Sequence, residues 1–173
     1  MPRSASNYLP AATRSQALKV WYGVLIVVFV WLALIILPPV LSAYGQTGIS
    51  SPLYKFFGSI CHQMPERSFH ILEHQLAVCS RCFGVYFGLA LGSIVYPLWR
   101  RIDDIDPLPR FWLLASMVPI GVDWSLGVFG VWENNHASRF ITGLILGIAC
   151  ATYILPALVE IVRNLRSDVS VQT

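Results

Sequence analysis

Charge is what this sequence has least of. Only 12% of its 173 residues are Asp, Glu, Lys or Arg, against 55% hydrophobic. So few charges cannot clothe a water-soluble surface, which excludes an ordinary soluble domain and points to an integral membrane protein. The formal net charge is only +3, and the basic residues are scattered between apolar runs. No basic strip exists for nucleic acid to bind. Cysteine is scarce too: four residues are too few for a disulfide-built scaffold. Three of them, Cys61, Cys79 and Cys82, nevertheless crowd into one short stretch.

Long apolar runs are what the chain has instead. An α-helix needs about 20 apolar residues to cross the hydrocarbon core, and four segments qualify: residues 20–37, 83–99, 111–131 and 140–162. The first has no charge, is expected to close at Pro38-Pro39, and exceeds the apolar region of about 7–15 residues typical of a signal peptide. The expected fold is therefore an all-α membrane protein of four transmembrane helices spanning 20–162. A tail of residues 1–19 precedes it, one of 163–173 follows, and a Cys/His-rich outer loop at 42–82 contains short helices.

Lys and Arg orient the spans. Arg3, Arg14, Lys19, Arg100, Arg101, Arg110, Arg163 and Arg166 flank one side; Lys55, Arg67, Arg81 and Arg139 flank the other. A cell-membrane location with both termini cytoplasmic is expected. The inner connector "RRIDDIDPLPR" carries no recognisable chemistry. In the outer loop, "PLYKFFGSI" reads as an interfacial helix and "PERSFHILEHQ" as a second short helix, with His70 and His74 on one solvated face. The second and fourth spans carry glycines four apart, Gly84, Gly88 and Gly92, then Gly143 and Gly147. Such faces allow close helix packing, either within one chain or in a homo-oligomer.

The rare polar residues gather at one end. All four histidines fall on the outer side, with the three clustered cysteines, Glu66, Arg67, Arg81, Glu133, Asn134, Asn135 and Arg139. Asp123, within the third span, is costly in lipid unless paired, and Arg81 and Arg139 are its natural partners. Three readings of the cysteines stay open. Zinc held by Cys61, Cys79 and Cys82 with a histidine suits the C-x2-C element and a distant third thiol. A Cys79/Cys82 redox pair passing electrons to a quinone is the second, with Arg81 lowering a thiol pKa. A structural disulfide is the third. Cys150, amid "LGIACATYIL", is a small apolar packer.

The strings "CHQMPERSF" and "CSRCFGVYFG", an aspartate in the third span and an arginine leading into "TG" in the fourth resemble a family of small, multi-span prokaryotic membrane proteins of unknown function. The resemblance covers about residues 55–150 and carries over Cys61, His62, Gln63, Pro65, Glu66, Arg67, Ser68, Cys79, Arg81, Cys82, Gly84, Tyr86, Asp123, Arg139, Thr142 and Gly143. It makes His62 the preferred fourth ligand and leaves His136 outside the pattern. The expected site joins a metal set of Cys61, His62, Cys79 and Cys82 to anion-binding Arg67, Arg81 and Arg139. With that set closed, the metal is structural and the arginines hold an anionic membrane-lipid head group. With His62 free, zinc keeps a water, and Glu66, Asp123 and Arg139 become candidate catalytic groups for lipid hydrolysis.

Overall fold

The computed structural model describes residues 14–171 except 105, 107 and 132–134, so Arg3, Glu133 and Asn134 lie outside the described residues. The chain is mostly helical: α1 (Arg14–Ala43), α2 (Thr47–Gly58), α3 (Ser80–Trp99), α4 (Arg110–Val128) and α5 (His136–Val171). Four of these, all but α2, are long and apolar enough to cross a membrane. All four differ in extent from the sequence reading, α1 and α5 most. α1 runs on through Pro38 and Pro39, which are buried, and α5 continues past residue 162. A proline costs a helix its own N–H bond, but these two rings are packed within the folded chain, which offsets that loss.

The loop between α2 and α3 departs from expectation. "PERSFHILEHQ" is not a helix: a 3₁₀ turn at Pro65–Arg67 leads into an antiparallel hairpin of β1 (His70–Ile71) and β2 (His74–Gln75). His70 and His74 therefore sit on two paired strands, not on one helix face. Leu72 and Glu73 make the two-residue turn, with φ of 51° and 65°. Positive φ at both central positions is the geometry that fits strand twist, and it is normally signalled by Asn-Gly or Asp-Gly. Leu-Glu carries no such signal.

Side-chain amides hold this loop down. Gln63 Nε2 donates to the carbonyls of Tyr54 (2.8 Å) and Ala77 (2.7 Å), and Gln75 Nε2 donates to the carbonyl of Gln63 at 2.6 Å. Beneath them Phe57, Cys61, Leu76, Ala77 and Val78 pack with Ile35 of α1 in a buried cluster. The loop is thereby a folded cap on one end of the bundle.

α3 and α5 form its spine. A Cβ on Gly84 would lie 2.3 Å from the Phe140 carbonyl oxygen, on Gly88 2.3 Å from that of Leu144, and on Gly143 2.3 Å from that of Arg81. Contacts advancing together along both helices mean that they run parallel, backbone against backbone, and the glycine faces meet inside one chain. α4, antiparallel between them in sequence, is peripheral and buries only Ser116 and Asp123. Its other faces carry exposed Phe111, Trp112, Leu114, Val118 and Trp124, as suits a lipid-facing helix.

Proline also explains a cross-helix bond. Pro97 in α3 has no N–H for the carbonyl of Ser93, and the indole Nε1 of Trp21 in α1 donates to that carbonyl at 2.7 Å. Trp21→Phe strands a buried acceptor, so it should destabilise the protein by about 1–3 kcal/mol. In Trp21→Phe/Pro97→Ala the new N–H takes over the carbonyl, and detergent melting curves should show most of the loss recovered. Equal losses in the single and double variants would refute this account.

Candidate metal and anion site

The C-x2-C spacing works here through a helix start. Cys79 is the N-cap of α3, in extended conformation at φ −68° and ψ 161°, and Cys82 lies one turn inside the helix. Both thiols consequently face the same side, while Cys61 arrives from the end of α2 and is 5% exposed. The three Sγ atoms lie within 4.8 Å of one another, a spacing that can hold one metal ion. Cys61 Sγ also accepts the Cys79 backbone N–H at 3.2 Å. Hydrogen bonds from Cys79 and then Cys82 hold the Cys61 thiol well below the ordinary thiol range. All four cysteines are free thiols, so no disulfide joins them, and Cys150 sits apart in α5.

A cavity of about 300 Å³ fronts the sulfurs, walled by Ile60, His62, Met64 and Arg67. His62 is exposed, and its imidazole lies outside the close set formed by the sulfurs. Beside this cavity, the Arg81 guanidinium binds the Asp123 carboxylate and ties α3 to α4; Asp123 is 7% exposed. A lone carboxylate at that depth would be costly, and the pairing answers that cost. Arg81 Nε is buried with no hydrogen-bond partner among the described residues. Arg139, near the start of α5, has Arg67, Arg81 and Asp123 as its charged neighbours. Glu66 stays at the surface, 3.8 Å from the Arg67 guanidinium.

The parallel packing of α3 and α5 thus puts two positive helix ends and three guanidiniums at one place. Asn135 secures the α5 end by accepting the Ser138 N–H at 2.8 Å. Two positioning residues escaped the sequence reading. The Ser80 hydroxyl donates to the Arg67 carbonyl at 3.0 Å and lies 2.9 Å from His136 Nδ1. With its single proton committed to Arg67, Ser80 accepts from His136, which fixes the proton on Nδ1. His136 is therefore a strap between both helix starts and the loop. A serine and a histidine 56 positions apart offered no sequence signal for this contact.

Comparisons with known proteins agree with the fold. An uncharacterised protein of Methanocaldococcus jannaschii is 38% identical over 151 residues, covering 84% of this chain and 97% of its own. An uncharacterised protein of Methanothermobacter thermautotrophicus is 37% identical over 97 residues, covering 55% of this chain and 84% of its own. No solved structure matches. Residues 61–153, which run from the first clustered cysteine through both glycine faces, match the DUF2085 description, "Predicted membrane protein". With more than half of its length matched and four helices able to span a bilayer, the chain belongs to the DUF2085 family of predicted membrane proteins.

Proposed function

We propose that this protein binds zinc through Cys61, Cys79 and Cys82 at the outer face of the membrane, and that the metal fixes an arginine cradle for an anionic lipid head group. The observation that carries the reading is the convergence of three sulfurs within 4.8 Å from two separate segments. Three thiolates in tetrahedral geometry suit a closed-shell divalent ion, and His62 on the cavity wall is the candidate fourth ligand. Arg67, Arg81 and Arg139 then supply fork-shaped donors for a phosphate, with the unpartnered Arg81 Nε among them. Binding is favoured over hydrolysis. Asp123 is engaged by Arg81, and Glu66 is solvent-exposed beside Arg67, so neither is placed as a free general base.

Elemental analysis of detergent-purified protein, with thiols counted before and after chelation, tests the metal. About one zinc per chain is expected, with the clustered thiols reactive only after chelation. A metal-free protein with freely reactive thiols would sink the reading. Flotation with phosphatidylglycerol vesicles against phosphatidylcholine vesicles tests the cradle, and Arg139→Ala should erase the preference for the anionic lipid.

A further inference from the structure

The face of α3 turned toward α1 has a use that the thiolate site does not account for. Taken at about 100° per residue, Cys82, Tyr86, Ser93, Tyr96 and Arg100 fall within an arc of about 80°. The glycines that meet α5 lie on a different side of the helix. Two α1 tryptophans touch this polar row: Trp21 donates to the Ser93 carbonyl, and Trp31 meets the Tyr86 ring edge-on at 5.8 Å. In its lower half the row is buried yet unsatisfied. Ser93 and Tyr96 are 0% and 1% exposed, and Ser93 Oγ, Tyr96 OH and Arg100 Nη1 have no hydrogen-bond partner among the described residues.

Three such atoms along one stripe of a membrane helix call for a partner. A buried polar group without one is destabilising, and the usual partner in a polar site is bound water. Water can approach this row from its Arg100 end. A cavity of about 600 Å³ opens at this end of the bundle, between Arg14 at the start of α1 and residues 97–103 at the end of α3. Arg100 lines it, with its Nε held by Asp104 at 3.0 Å and its Nη2 bonded to the Asp106 carbonyl. From that cavity Arg100, Tyr96 and Ser93 lead inward one turn at a time.

We infer that a water-holding inlet enters the membrane domain between α1 and α3 from the Arg100 end and reaches Ser93. Its depth is about 10 Å, seven residues at about 1.5 Å each. Leu89 lies on the same arc just beyond and closes it. A further seven residues of helix separate Ser93 from Tyr86, which borders the thiolate cluster, so the inlet brings solvent protons about halfway to the metal site from the opposite face. This inference does not depend on the identity of the metal.

The test uses full-length protein in lipid vesicles with single replacements Ser93→Cys and Ile94→Cys. A small water-soluble methanethiosulfonate serves as probe, and peptide mass spectrometry keeps the native cysteines separate. Ile94 is 45% exposed on the lipid side, so the thiol introduced there is the membrane control. Thiolate is the reactive form and water favours it, so the thiol of Ser93→Cys should react at least about tenfold faster than that of Ile94→Cys. Equal, slow labelling of both would overturn the inlet. Hydroxyl-radical footprinting of the unaltered protein provides a readout that needs no substitution. Tyr96 should be oxidised despite its burial if water lies against it, and an unmodified Tyr96 beside a heavily oxidised, exposed Tyr44 would equally overturn the proposal.

Discussion

Replacing Gly147 with alanine should unfold the bundle in detergent, although it adds one methyl group. The new Cβ would lie 2.1 Å from the Val85 carbonyl oxygen, 2.8 Å from the Leu89 nitrogen and 2.9 Å from the Gly88 Cα, all backbone atoms that cannot step aside singly. Relief requires the two helices to separate along their length, which also pulls apart the other glycine contacts. A loss of about 3 kcal/mol or more is expected, at the upper end of overpacking effects. Gly121→Ala in α4 is the matched control, because nothing lies within 4 Å of its added Cβ. Alanine there should be neutral or gain up to about 1 kcal/mol from helix propensity. Equal melting temperatures for the two variants would show that α3 and α5 do not meet as described.

The second large effect is expected at Cys61. Its sulfur joins the end of α2 to the start of α3, and no other side chain within the sulfur set comes from the α2 side. Cys61→Ala should drop zinc from about one ion per chain to below about a tenth, since binding and local folding are coupled in such sites. The cap then depends on the Gln63 and Gln75 amides. Trypsin should cut after the exposed Arg67 at least about tenfold faster, because local opening sets access to the bond. Cys150→Ala, which touches none of this, should leave both readouts unchanged. Zinc retained at full occupancy in Cys61→Ala would exclude the three-thiolate centre.

The spans were legible in the sequence because an uncharged apolar run has few alternatives to a membrane helix. Their ends were less so. Pro38-Pro39 reads as a stop, yet tertiary packing of both rings keeps α1 helical. The Arg81–Asp123 pair was foreseeable from the cost of an isolated carboxylate in lipid, and the cysteine cluster from spacing alone. What stayed hidden depended on geometry across distant segments. The hairpin turns at Leu72 and Glu73, whose identities do not favour positive φ, and the surrounding amide network holds them there. The role of His136 depends on Ser80, which comes beside it only because the glycines align the starts of α3 and α5.

That alignment has a bearing on biogenesis. α3 leaves the ribosome well before α5, and α4 must thread the bilayer in the opposite sense between them. Until synthesis has passed Gly147, the glycine face of α3 has no counterpart, and Arg81 can meet Asp123 but not Arg139. The cradle of guanidiniums therefore forms only once α5 has been made. A nascent chain that stalls before α5 lacks Arg139 at that end of the bundle and leaves the smooth face of α3 open to lipid or to the quality-control proteases of the membrane.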